Sequence, residues 1–172
     1  RLKQLYSNRL GHFATETEIY CCECDAGINV PSQRYIDLFY LQKFSANRQL
    51  EKMWRRNLII LPSWLLIPIV KVNRFINIFV PGGNYHEIKE IGNFVYRDIP
   101  NVIERFQAHI SFTNEEEVKG KRILKDMGIP ENAKFVCLNV RDAGFLDRHE
   151  KSKLRRWSYH DYRDADIDKY VL

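Results

Sequence analysis

Three short apolar runs, separated by stretches with helical spacing, restrict what this chain can fold into more than any other feature. They are "RYIDLFYL" (34–41), "LIIL" (58–61) and "FVCLNV" (135–140). Each is dense in β-branched or aromatic residues and fits an interior strand of a parallel sheet. No hairpin turn signal joins one to the next, and helical patterns fill the gaps. "RLGHFATETEIYCCECDAG" opens a helix near His12 that ends between Asp25 and Gly27, with a strand expected before it, at or before the start of the chain. Asn47 is placed to cap a short helix that carries Leu50, Met53 and Trp54 at i, i+3 and i+4. A further helix is expected from Trp64 to Phe79, irregular at Pro68, followed by a break at "PGGN" (81–84). From Tyr85 to Ser111 the pattern offers at most short pieces of helix. Thr113 and Glu116 have capping-box spacing and open a helix with Gly120, Ile123, Leu124 and Met127 on one side; Gly128 and Pro130 end it. Strands alternating with helices in this way imply an α/β fold with a largely parallel sheet.

At 172 residues the chain is long enough to bury a core of roughly 70% of its unfolded surface. Hydrophobic residues at 45% and charged ones at 28% argue for a folded protein rather than a disordered one. The net charge of +5 favours anionic partners, though weakly for this length. The densest basic stretch, "RHEKSKLRRW" (148–157), lacks a nucleic-acid recognition motif and reads as a solvated loop, so no nucleic-acid partner is expected. "CCEC" looks like a metal tract, but Phe13, Thr17, Tyr20, Cys21 and Cys24 share one face of the first helix and read as core. Free cysteines point to a reducing compartment, and no signal peptide is present, so the expected location is cytoplasmic. "LIILPSWLLIPIV" (58–70) is too short and too broken by proline to span a bilayer of about 30 Å. It reads as strand, turn and buried helix, with peripheral membrane attachment as the alternative. The last segment begins like a helix and stops at Leu172 without a terminator, so the chain is read as part of a longer protein.

Three places carry candidate chemistry. The strand at 135–140 ends on Arg141 and Asp142, with Gly144 beyond; Asn139 and Arg141 share a face, so an amide and a guanidinium could reach one ligand. "NRLGH" (8–12) supplies Arg9, Gly11 and His12 at a strand-to-helix turn, where amides and the helix dipole favour an anion and His12 could act as a general base. It is neither a P-loop nor a GxGxxG turn. "SYHDYRDADIDKY" (158–170) places His160 and Arg163 just ahead of a helix capped by Asp164, as further phosphate candidates. At each place a plainer reading stands beside the functional one: a solvated strand end, a helix-start histidine bonded to backbone, and a capped helix with exposed polar neighbours.

The run "FTNEEEVKGKRILKDMGIPENAKFVCLNVRDAGFL", together with "SYHDYRDADIDKY" and "RLGHFATETEIY", resembles a family of bacterial glycosyltransferases from surface-polysaccharide and glycan-modification loci. The resemblance covers about half of the chain, at its two ends. It implies one Rossmann-like half of a GT-B architecture over 1–130 on the acceptor side, and over 131–172 the incomplete start of a nucleotide-sugar-binding half. It further implies a nucleotide-sugar donor, a glycan or related acceptor, and no obligatory metal or other cofactor. In such enzymes the matching strand often ends His-x-Arg, with the arginine near the donor diphosphate; here the matching residues are Asn139 and Arg141. Asn139 can hydrogen-bond a ligand but cannot accept a proton, which leaves His12 as the candidate base. A non-catalytic module that binds a nucleotide or a glycan is the competing reading.

Overall fold

The structure, a computed structural model, describes residues 1–80, 82–88, 98 and 100–137. The alternation read from the sequence is present. β1 (Leu2–Leu5) leads to α1 (Leu10–Asp25), β2 (Leu38–Leu41) to α2 (Arg48–Asn57), and β3 (Ile60–Leu61) to α3 (Ser63–Ile76). Two 3-10 turns, Gly83–His86 and Ile103–Arg105, precede α4 (Asn114–Asp126). The strands form one parallel sheet in the order β1-β2-β3, with Leu2 opposite Leu38 and Phe39 opposite Ile60. The protein is therefore mixed α/β with a small parallel sheet.

Alternation along β2 explains how the sheet is covered. Successive side chains point to opposite faces, so Phe39 packs on one side with Leu5, Phe13, Leu50 and Trp54, from β1, α1 and α2. Tyr40 packs on the other side with Leu66 and Val70 of α3. The expected core face of α1 is buried at Phe13, Thr17, Tyr20 and Cys21, and Cys24 packs against the same cluster. Cys22 and Ile19 form a second contact with Val102, so α1 is covered on two sides.

Both predicted strands are shorter than the apolar runs that announced them. Arg34–Ile36 are exposed and lie outside the β1–β2 ladder, which runs from Leu2↔Leu38 to Leu5↔Leu41. Asp37 is drawn off instead by Arg1 at 2.6 and 2.8 Å and by the Tyr20 hydroxyl at 2.5 Å. Burial works against the Asp37 charge, but these donors outweigh it and hold the carboxyl below its ordinary pKa. Leu58 is the C-cap of α2 rather than a strand residue; its N–H donates to the Trp54 carbonyl at 2.8 Å.

The helix expected at Trp64–Phe79 runs through Pro68, but it is not buried: only Leu66 and Val70 are, while Trp64 and Phe79 are 75% and 70% exposed. A single stripe meets the sheet, and the 3-10 turn Gly83–His86 lies against the helix as well. "FVCLNV" is described only in its first half. Residues 135–137 form no strand, and Val136 is 93% exposed. Residues 138–140 lie outside the described ones.

The chain divides into two compact units, Arg1–Lys119 and a second that begins at Gly120. The sheet and its helices belong to the first. In α4 the capping box forms as read: Thr113 N–H donates to Glu116 at 3.0 Å, and Glu116 N–H to the Thr113 hydroxyl at 3.3 Å. Gly128, at φ +83°, ends the helix, with Ile129 N–H returning to the Leu124 carbonyl at 3.0 Å.

Candidate functional site

Because the three strands are parallel, their C-terminal ends lie on one edge, and α1, α2 and α3 all begin there. That edge is where ligands of open α/β sheets bind, since loop amides and positive helix ends converge on it. Two loops on the edge are tied through one buried serine. The Ser7 hydroxyl donates to the Phe44 carbonyl at 2.8 Å and accepts from Gln42 N–H at 3.1 Å, while the Ser7 carbonyl accepts from Ala46 N–H at 2.7 Å. The loop after β1 is thereby held to the loop after β2. Asn47 fixes the start of α2 by accepting from Leu50 N–H at 2.9 Å.

His12 lies in the first turn of α1, on this edge. Its Nδ1 is 2.6 Å from Glu16 Oε1, one helical turn on, and its ring centroid is 6.3 Å from that of Tyr6. An ionised Glu16 can only accept, so the pair sets the tautomer with the proton on Nδ1 and leaves Nε2 as the basic nitrogen. Burial, aided by the charge of Arg9, lowers the His12 pKa below its ordinary value, even with Glu16 beside it. A base oriented by a carboxylate is the arrangement that general-base chemistry uses.

Arg9 is the N-cap residue of α1 and provides no side-chain cap. Gly11 is exposed in the first turn, and a Cβ there would meet nothing within 4 Å, so the helix start is open to approach on that side. The sequence brought Arg9, Gly11 and His12 forward, and the structure keeps them together. It adds Glu16 and Ser7, which sequence reasoning missed. The i, i+4 spacing from His12 could have revealed Glu16; no local signal marks Ser7 as the link between two loops. Beside β1 runs an open groove of about 320 Å³, lined by Lys3, Gln4, Tyr6, Tyr40, Arg74 and Glu87 among others, which reaches the His12 neighbourhood at Tyr6.

A second polar cluster ties residues 109–111 to α1 and α2. His109 Nδ1 is 2.8 Å from Glu18, its Nε2 is 3.1 Å from Asp25, and its backbone N–H donates to Glu18 at 3.0 Å. Arg56 adds a bond to the Ser111 carbonyl at 2.9 Å. Burial opposes a charge on His109, but the two carboxylates outweigh it and raise its pKa. Glu18, Cys22 and His109 offer donor atoms within 4.8 Å of one another, a spacing that could hold a divalent ion. Burial pushes the Cys22 thiol up to about 11, away from the thiolate that a metal takes. With or without an ion, the His109 contacts with Glu18 and Asp25 latch this segment to α1.

Asn139, Arg141, Asp142, His160 and Arg163 lie outside the described residues. So do Asp164-Ala165-Asp166 and Asp166-Ile167-Asp168, whose D-x-D spacing is one that metal-dependent sugar transferases use; the expectation of metal independence therefore rests on the family resemblance alone. No helix among the described residues is long and apolar enough to cross a membrane. Comparison with protein-family models, with curated proteins and with solved structures finds no match.

Proposed function

We propose that this chain carries part of a glycosyltransferase that moves a sugar from a nucleotide-sugar donor to a glycan or related acceptor, with His12 as the base. The observation that carries the reading is the His12–Glu16 pair at 2.6 Å, in the first turn of a helix that begins at the C-terminal edge of a parallel sheet. In the reaction, Nε2 of His12 takes the proton of the acceptor hydroxyl as its oxygen bonds to the anomeric carbon. The bond from that carbon to the diphosphate oxygen breaks, and the nucleoside diphosphate leaves with the electron pair. Arg9, and Arg141 from the second half, are proposed to offset the charge gathering on the diphosphate. Asn139 and Asp142 are proposed to hydrogen-bond the donor, and His160 and Arg163 to add contacts to its phosphates. The sequence resemblance supports this reading, and so does the open helix start beside Gly11.

The test uses the complete protein and a panel of uridine- and guanosine-diphosphate sugars, reading nucleoside diphosphate release and donor affinity separately. His12→Gln should suppress release by about a hundredfold or more while donor affinity stays near that of the parent. Equal losses in both would assign His12 a structural role and remove it as the base. The second reading, a binding module without turnover, is favoured by Asn139 standing where related strands carry histidine. It predicts donor affinity with no release in the parent protein.

A further inference from the structure

Ten large apolar residues between Trp64 and Val80 are more than a third exposed, on a helix and turn where the sequence has no acidic residue anywhere from 52 to 86. Globular surfaces seldom carry so continuous an apolar patch without a partner. Its arrangement on α3 is ordered. With about 100° between successive residues, the positions Trp64, Phe75, Val72, Leu65, Ile76 and Ile69 follow one another over about 140° of the helix surface. Leu66 and Val70 face the sheet from the opposite side. Lys71 and Arg74 flank the apolar arc along one margin, and both are exposed. Arg74 is paired with Glu87 at 3.0 and 3.1 Å. Beyond the helix Ile78, Phe79 and Val80 are exposed as well, and so is Tyr85, at 79%, in the 3-10 turn that follows.

A protein partner that takes up a helix usually receives one narrow stripe in a groove. Here the exposed arc of about 140° is joined by Ile78, Phe79 and Val80 beyond the helix, a broad and continuous apolar face that suits a fluid medium. The margin of cations suits a negatively charged boundary, since long basic side chains can lay their stems on apolar surface and reach headgroup phosphates. Trp64 and Tyr85 have the apolar body and polar tip found at the membrane–water interface. The 14-residue helix is about 21 Å long, shorter than the bilayer's hydrocarbon thickness of about 30 Å, so it would lie in the interface plane and not across it.

We propose that the outer face of α3 and the Asn77–Val80 turn seat this chain on a bilayer surface that bears anionic lipid. The inference stands apart from the sugar-transfer reading and survives its failure. It is tested by co-sedimentation of the full chain with vesicles of phosphatidylcholine mixed with phosphatidylglycerol, and with vesicles of phosphatidylcholine alone. The chain should sediment with the mixed vesicles, and less with the neutral ones. The double variant Phe75→Ser/Phe79→Ser, both side chains being exposed, should keep its far-ultraviolet circular dichroism and lose about tenfold or more in partitioning. Trp64→Ser provides an independent variant with the same expected direction, and Lys71→Glu should erase the preference for anionic vesicles. Parent protein that stays in the supernatant, or variants that sediment like the parent, would overturn the proposal. A dimer in vesicle-free buffer that the double variant abolishes would also overturn it, by assigning the face to a second copy of the chain.

Discussion

Replacing Ser7 with alanine should destabilise the protein far more than the loss of one hydroxyl from a loop suggests. The side chain has no solvent exposure and bridges two loops, donating to the Phe44 carbonyl and accepting from the Gln42 N–H. Alanine keeps the backbone bond from Ala46 but removes both side-chain bonds. A buried N–H stripped of its partner costs about 1–3 kcal/mol, and the second bond adds about 1 kcal/mol, for a total of about 2–4 kcal/mol. Against a typical stability of about 5–15 kcal/mol, that is a large fraction. With a urea slope of about 2 kcal/mol per molar, the unfolding midpoint should fall by about 1–2 M at unchanged slope. The assay is equilibrium urea unfolding followed by tryptophan fluorescence and by circular dichroism. Ser32→Ala, on an exposed loop, is the control and should stay within about 0.5 kcal/mol of the parent. A Ser7→Ala protein that matches this control would refute the claim that the hydroxyl joins the two loops.

Two further outcomes follow from the same network of contacts. The His109 pKa is raised in the folded state, so the stabilisation its charge provides is complete below its unfolded value of about 6.5 and is lost as pH rises through the higher folded value. Urea midpoints measured from pH 6 upward should therefore fall more steeply for the parent than for His109→Asn; parallel profiles would remove the two-carboxylate latch. Asn47→Ala deletes the cap bond to Leu50 and should cost about 1 kcal/mol in the same unfolding assay, with Asn47→Asp close to the parent.

What the sequence determined by itself is local in origin. The α/β order, the Asn47 cap, the Thr113–Glu116 box and the Gly128 stop each depend on residues within a few positions of one another, and each formed where its pattern stood. His12 could be singled out for a similar reason, because a histidine after a strand and at the start of a helix is visible in the letters alone. Tertiary structure decided which apolar segments found a partner. β2 takes up only Leu38–Leu41 of its apolar run, residues 135–137 form no strand, and α3 leaves most of its apolar side chains exposed. It also decided the long-range polar contacts, in which His109 meets Glu18 across 91 positions and Ser7 meets Phe44 across 37. Hydrophobicity and capping are properties of a residue and its near neighbours, whereas burial and hydrogen-bond partnership belong to pairs that only the folded chain brings together.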